Sequence, residues 1–190
     1  MDIILIRHGE TDANREKVFS LDSTPLTDSG LEQMRNASKL LAEYHYKKVL
    51  ISEYLRTKLS FEAMNIDKEY IVDERLNEFN YGVLKGNSVE ESLVKYEDIF
   101  NNWYKNNMEY RIPGGESIAD LYLRVCDIYE ELVEKDEDIL IITHDGVIRS
   151  FLCAVFKTTD IYYKFKIDNG SVTVINIKDG YPVLAKFNLT

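Results

Sequence analysis

The sequence predicts an α/β fold, a mixed, mostly parallel sheet with helices on both faces. Three observations carry this. Ile3-Ile4-Leu5-Ile6, Val49-Leu50-Ile51-Ser52 and Ile139-Leu140-Ile141-Ile142 have the nearly unbroken hydrophobicity of strands covered on both sides. Stretches of helical spacing separate them, which is how parallel strands are joined. Near the end, Ser171-Val172-Thr173-Val174-Ile175 and Val183-Leu184-Ala185 flank Asp179-Gly180-Tyr181-Pro182, a hairpin signal that adds antiparallel strands.

Ile3–Ile6 is too short to span a membrane or serve as a signal h-region, and it runs straight into Arg7-His8-Gly9-Glu10-Thr11. A helix starts near Thr27, an acceptable N-cap, with Leu31, Met34, Leu40 and Leu41 on its inner side. The strand at residues 49–52 precedes a helix from about Leu55 to Met64, and Ile71-Val72 reads as a short edge strand. From Asp73 to Gly115 periodicity is weak, two glycines stand near the start and aromatics are frequent, so this segment reads as an inserted cap. Ser117-x-x-Asp120 then caps an amphipathic helix carrying Ile118, Leu121, Val125, Ile128 and Leu132. The Ile139–Ile142 strand ends at Thr143-His144-Asp145-Gly146, and a helix follows with Val147, Ile148, Phe151, Leu152 and Val155 on one side. No Pro/Gly-rich linker, repeat or low-complexity stretch interrupts the chain, so residues 1–190 read as one domain with the cap at about 73–115.

With 45% hydrophobic and 29% charged residues, the chain has an ordinary globular composition. Its net charge of −10 argues against a nucleic-acid footprint and against anionic membranes. An anionic substrate therefore needs a local basic pocket inside an acidic shell. Cys126 and Cys153 lie in apolar helical patterns without metal or redox spacing, so a buried, reduced pair and a cytoplasmic location are expected. No Asp/Glu/His cluster has metal-ligand spacing, and no cofactor is expected.

The chemistry concentrates at two strand ends. In each, an apolar strand delivers a histidine: His8 beside Arg7, and His144 beside Asp145. Arginine next to histidine at the carboxyl end of a strand is poorly solvated unless an anion is present. A neutral imidazole can attack phosphorus and carry it as phosphohistidine, while a second imidazole donates hydrogen bonds to the phosphoryl oxygens. Backbone N–H groups of the helix beginning near Asp145 would point at the same anion. The plainer alternative is that each histidine satisfies a core hydrogen bond. Arg56, after the second strand, offers a guanidinium whose fork matches phosphate; it also fits a solvated helix position. Glu78 starts the aromatic segment, where burial would raise its pKa and suit it to protonate a leaving alkoxide; it also fits an exposed carboxylate.

From residue 3 to about residue 176 the chain resembles the histidine phosphatase superfamily, which includes the cofactor-dependent phosphoglycerate mutases. Arg7-His8-Gly9-Glu10-Thr11 matches that family's signature throughout. Asn14 stands where the family has a phosphate-contacting asparagine, and Thr24-Pro25-Leu26-Thr27-Asp28-Ser29-Gly30 is similar to its turn into the first helix. Ser52-x-x-Leu55-Arg56-Thr57 resembles the segment bringing the second phosphate arginine, and Leu76-Asn77-Glu78-x-x-Tyr81-Gly82-x-x-x-Gly86 the proton-donor motif. Pro113-Gly114-Gly115-Glu116-Ser117 and Thr143-His144-Asp145-Gly146-Val147 resemble two further family motifs, in the family's order. The resemblance implies a three-layer α/β/α sandwich with His8 as phosphorylated nucleophile. Arg7, Arg56 and His144 would hold the phosphoryl group, and Glu78 would serve as acid and then as base. Gly9, Asn14 and Asp145 are the further substrate-binding candidates.

Within that family the expectation is hydrolysis of a small organic phosphomonoester. A mutase must grip a second anion, and in the glycolytic mutases an arginine directly follows the proton-donor glutamate. Here Phe79 follows Glu78, and residues 80–108 hold no arginine, only Lys85, Lys95 and Lys105. Mutase-type transfer is the alternative. A non-catalytic phosphate-binding module is the second, disfavoured because all five catalytic positions match. Tyr81, Tyr96, Phe100, Trp103, Tyr104 and Tyr110 hint at an apolar or ring-bearing leaving group, though any one of them also fits as packing. Alpha-ribazole phosphatases and broad-specificity phosphatases are among the family's short members.

Overall fold

In the computed structural model, which describes residues 1–190, six strands form one sheet. They are β1 (Asp2–Arg7), β2 (Lys48–Ile51), β3 (Tyr70–Val72), β4 (Ile139–Thr143), β5 (Val172–Lys178) and β6 (Tyr181–Leu189). Their order is β3-β2-β4-β1-β5-β6. β1 pairs parallel with β4, β4 with β2 and β2 with β3, while β5 runs antiparallel to both β1 and β6. The helices are α1 (Asp12–Arg15), α2 (Asp28–Leu40), α3 (Leu55–Met64), α4 (Val89–Lys95), α5 (Glu97–Lys105), α6 (Ile118–Lys135) and α7 (Asp145–Phe156).

Strand alternation sorts the central side chains into two layers. Ile3, Leu5, Ile139 and Ile141 face one core with residues of α6 and α7; Ile4, Ile6, Leu140 and Ile142 face the other, with residues of α2 and α3. The result is a three-layer α/β/α sandwich whose middle strands are hydrophobic on both sides. Each such fully buried Ile or Leu is worth about 1.5–3 kcal/mol of transfer free energy.

Several expectations need refinement. On α2 the inner face is Gly30, Met34 and Ala37, continued by Leu41; Leu31 and Leu40 flank it, half-buried. Gly30 lets the start of this helix lie directly on the loop after β1. On α7 burial is not one-sided: Ser150, Cys153 and Ala154 are covered as well as the predicted stripe, since the helix packs on both α6 and the sheet. The hairpin turns on Asp179 and Gly180 alone, at φ 51° and 77°, the left-handed pair that a two-residue turn requires. Tyr181 and Pro182 belong to β6, an edge strand where proline's missing N–H costs nothing. Cys126 is half-buried rather than buried, and both cysteines are free. No helix is long and apolar enough to cross a membrane.

The loop after β1 is stitched to the start of α2. Thr27 caps the helix by accepting the Gly30 N–H at 3.0 Å, and its own N–H donates to the Glu10 carbonyl at 2.9 Å. Gly9 and Gly30 lie backbone to backbone there. A Cβ on Gly30 would meet the Glu10 carbonyl oxygen at 2.2 Å, and one on Gly9 would meet the Gly30 oxygen at 2.3 Å. Inside an ordinary helix Gly→Ala gains about 0.8–1 kcal/mol. Here overpacking against backbone reverses the sign, so Gly30→Ala is expected to destabilise by about 1–3 kcal/mol. Urea denaturation tests this, and a midpoint above that of the parent protein would contradict it.

Candidate active site

β1 and β4 are neighbours in parallel register, with Arg7 opposite Thr143. The residue after each strand is a histidine, so His8 and His144 emerge side by side, their ring centroids 5.2 Å apart. The backbone ties the two ends together, since the His8 N–H donates to the Thr143 carbonyl at 2.9 Å.

His8 is 3% exposed, and its Nδ1 lies 2.7 Å from the Gly9 carbonyl. A carbonyl only accepts, so Nδ1 carries the ring proton and Nε2 presents a lone pair. That lone pair accepts the Arg56 Nε–H at 3.3 Å. Burial first, then the charges of Arg56 and Arg7, hold the His8 pKa well below the usual histidine value of 6.5. The ring is neutral at physiological pH.

Arg56, in the first turn of α3, is 2% exposed and donates from Nη1 to the Leu21 carbonyl at 3.0 Å. Arg7 donates from Nη1 to the Ile167 carbonyl, and its buried Nε has no partner. The six other arginines, Arg15, Arg35, Arg75, Arg111, Arg124 and Arg149, each form an ion pair with a carboxylate. Arg7 and Arg56 form none, although the chain as a whole is strongly acidic. Uncompensated cations in such surroundings are costly to keep.

His144 is fully buried between His8 and Tyr54. Its Nε2 lies 2.7 Å from the Ser52 hydroxyl, which lies 2.9 Å from that of Thr57, and its Nδ1 has no partner. Burial, followed by Arg56 and His8, lowers its pKa well below 6.5.

Glu78 follows a 3₁₀ turn at Glu74–Leu76. Its Oε1 accepts the N–H of Phe79 at 2.9 Å and that of Gly146 at 3.2 Å, leaving Oε2 free. Burial, then the neighbouring Asp145 carboxylate, raises its pKa; the Phe79 N–H, Arg56 and Arg7 oppose the rise. From the sequence, the first N–H groups of α7 are expected to point at a bound anion. The structure differs in that Gly146 donates its N–H to Glu78, because the Glu78 segment folds directly over the helix start.

Arg7, His8, Asn14, Arg56, Glu78 and Asp145 line one cavity of about 220 Å³, with Lys17, Tyr54 and Lys85 also on its wall. Asn14 Oδ1 accepts from the Thr11 N–H, the Thr11 hydroxyl and Asn169 Nδ2 at 3.0–3.1 Å, so the group it has left to offer is its NH₂. Asp145 is paired with Arg149 at 2.8 Å. Gly9, expected to bind substrate, does not line the cavity. Its N–H donates to Ser60 Oγ at 3.2 Å and its carbonyl orients His8. Glu10, the other carboxylate close to His8 in sequence, accepts from the Thr27 hydroxyl at 2.9 Å and lies outside the cavity.

Ser52 is a functional residue that its own motif did not single out; the signal is its place one residue beyond β2, level with Thr143 and so beside His144. Asn169 carried no signal, since it meets Asn14 across 155 residues of chain. The aromatics divide among separate duties. Tyr81 lines the site and meets Phe79 edge-on at 4.8 Å. Phe100, Trp103 and Tyr104 join Tyr163 around a separate groove of about 350 Å³, and Tyr96 and Tyr110 pack on the core.

Residues 3–190 match the family model for the histidine phosphatase superfamily (branch 1). The chain belongs to that superfamily. Its enzymes act through a phosphohistidine intermediate. Phosphoserine phosphatase 1 of Hydrogenobacter thermophilus is 29% identical, over 99% of this chain and 92% of that protein. A 2,3-bisphosphoglycerate-dependent phosphoglycerate mutase 2 of Gloeobacter violaceus is 32% identical, over 79% of this chain and 73% of its own length. The crystal structure of the alpha-ribazole phosphatase from Shigella flexneri superimposes with a TM-score of 0.89 at 28% identity, covering 99% of this chain and 96% of that one. The superfamily match reaches the last residue, beyond residue 176 where the motif resemblance ended.

The His8 geometry makes a spectroscopic prediction. Nitrogen-15 NMR should find the ring neutral, with the proton on Nδ1 and Nε2 bare, at every pH down to well below 6.5. A titration midpoint at or above 6.5, or a proton on Nε2, would contradict the assignment.

Proposed function

We propose that this histidine phosphatase hydrolyses small organic phosphomonoesters through a phosphohistidine formed on His8 Nε2. One observation carries the reading: the two arginines without a carboxylate partner meet at a single cavity beside the bare nitrogen of a neutral histidine. A dianionic phosphoryl group would neutralise both guanidinium groups, whose partners in the chain are carbonyls and an imidazole.

In the first step the Nε2 lone pair attacks phosphorus and the bond to the ester oxygen breaks. Glu78, protonated because burial disfavours its charge, gives the proton on Oε2 to the departing alkoxide. In the second step the Glu78 carboxylate takes a proton from water, the hydroxide oxygen bonds to phosphorus, and the N–P bond breaks. Its electron pair returns to Nε2, and inorganic phosphate leaves. Arg7 and Arg56 keep their charge throughout and stabilise the equatorial oxygens. Asn14 offers its NH₂ to the same group. If the Ser52 hydroxyl donates to His144 Nε2, the His144 proton sits on Nδ1, the tautomer able to donate to a phosphoryl oxygen. The positive charge comes from side chains, so the chemistry requires no metal ion.

Hydrolysis is favoured over mutase-type transfer by the remaining cations of the cavity. Lys85 is already paired with Asp22 at 2.7 Å, and Phe79, where a mutase has arginine, is buried at 3% exposure. Little beyond Lys17 is left to hold a second anion. An alpha-ribazole-type or broad-specificity phosphatase fits both the relatives and the aromatic wall at Phe79 and Tyr81. The two free cysteines suit a reducing compartment, and we place the protein in the cytoplasm.

Two outcomes are expected. Incubated with a phosphorylated substrate and a strong chelator, then quenched in alkali, the protein should retain an alkali-stable phosphoryl label that His8→Ala lacks. Label persisting in His8→Ala, or dependent on an added divalent ion, would overturn the mechanism. The second concerns pH. Phosphorylation needs His8 neutral and Glu78 protonated, so its rate falls on the acid side through the lowered His8 pKa and on the alkaline side through the raised Glu78 pKa. Asp145→Asn removes a negative charge that raises the Glu78 pKa and leaves Arg149 unpaired nearby, and both changes lower that pKa. The alkaline limb of single-turnover phosphorylation should therefore move to lower pH. No movement, or movement upward, would exclude this coupling.

A further inference from the structure

Glu78 sits in a segment that no strand or long helix holds. After the 3₁₀ turn at Glu74–Leu76, regular structure resumes only at a second 3₁₀ turn, Gly82–Leu84. The position of its carboxyl group therefore depends on how the backbone from Arg75 to Asn80 is bonded.

The start of the segment is held by Asp73, which accepts the N–H groups of Arg75 and Leu76, and by the Thr143 hydroxyl, which donates to the Leu76 carbonyl at 2.8 Å; its end, at Glu78 and Asn80, is held by one ion pair that does not line the cavity. Arg124, on α6, grips Glu116 through two parallel hydrogen bonds, Nε to Oε2 at 3.2 Å and Nη2 to Oε1 at 2.8 Å. The same guanidinium donates from Nη1 to the Arg75 carbonyl at 2.7 Å and from Nη2 to the Glu78 carbonyl at 3.4 Å. Glu116 Oε1 accepts the Asn80 N–H at 2.8 Å, and the Glu116 N–H donates to the Asn80 carbonyl at 3.1 Å. Backbone groups at Arg75, Glu78 and Asn80 are thus fixed from one place. Gly115 makes this approach possible, since a Cβ there would meet the Asn80 oxygen at 2.1 Å. The two side chains are 21% and 13% exposed, so water is a poor substitute for either partner. Lysine at position 124 would supply charge without the planar fork that reaches both carbonyls.

We propose that Arg124 and Glu116 are positioning residues for the proton donor, holding the Arg75–Asn80 backbone so that the Glu78 carboxyl group stays within reach of the leaving oxygen. The proposal rests on the reading of Glu78 as that donor. Protonation matters for alkyl phosphates, whose leaving groups are strongly basic, and hardly for aryl phosphates with acidic phenols. Loss of positioning should therefore appear as leaving-group selectivity, which general damage to the fold would not produce.

The experiment measures single-turnover phosphorylation of His8 by an alkyl and by a nitrophenyl phosphate, in the parent protein and in Arg124→Lys, Glu116→Gln and Glu78→Gln. For Arg124→Lys the alkyl rate should fall about 10–100-fold, the range typical of outer partners that orient a reacting group. The aryl rate should stay within about twofold, with unchanged half-saturation for both esters. Glu116→Gln, which keeps an acceptor for Asn80, should show the same selectivity to a smaller degree, and it serves as the test if Arg124→Lys does not fold. Alkyl and aryl rates falling together, or neither falling, would overturn the proposal. If Glu78→Gln is selective and the Arg124 and Glu116 variants are not, the positioning role fails alone. If Glu78→Gln itself shows no selectivity, the proton-donor reading fails and the positioning role with it.

Discussion

The parallel pairing of β1 with β4 is the constraint on which the site depends. Because Arg7 lies opposite Thr143, the two strands end at the same level and deliver His8 and His144 as neighbours. A shift of one residue in this register would send one histidine to the other face of the sheet. The register is secured by where the apolar runs stop: Ile3–Ile6 lies against Ile139–Ile142 with Asp2 and Arg7 at its ends, and a slip would draw one of those charges into the core. The packing of apolar side chains thus sets the geometry of a polar site.

Desolvation then decides the protonation states. Burial drives both histidines toward the neutral form and Glu78 toward the acid form, and in each it outweighs every individual charge nearby. The arginines cannot respond in this way because guanidinium does not deprotonate. They remain as fixed charges with only carbonyl and imidazole partners, Ile167 and Leu21 among them. An acidic protein thereby keeps a cationic pocket: the surface carries the negative charge, while the interior holds two guanidinium groups that only an incoming anion can match.

The site is also rigid for stated reasons. His8 is oriented by the carbonyl of the next residue, His144 by Ser52, and Asn14 by Thr11 together with Asn169. The Glu78 carboxyl is held by two backbone N–H groups, one of them at the start of the helix that follows His144. The Gly146 N–H thus ties the Glu78 carboxyl to the helix that begins directly after His144.

Local pattern was enough to read most of the elements and the chemistry they carry. The apolar runs, the caps at Thr27 and Ser117 and the Asp-Gly turn are short-range features, and each records a backbone preference within a few residues of itself. His8, Arg7, Arg56 and His144 were legible as candidates because reactive residue types stood at strand ends, and Glu78 because an acid opened the aromatic segment; the roles expected of them rested on the family resemblance. Their mutual arrangement was not legible, since strand order and register are long-range properties. That β4 lies between β2 and β1 is what lets Ser52 reach His144. Equally hidden were the diversion of Gly146 and Gly9 to protein partners, the turning of Glu10 toward Thr27, and the contact of Asn169 with Asn14. Each of these is a hydrogen bond between residues whose approach is governed by the packing of whole layers, and one-dimensional spacing contains no measure of that distance.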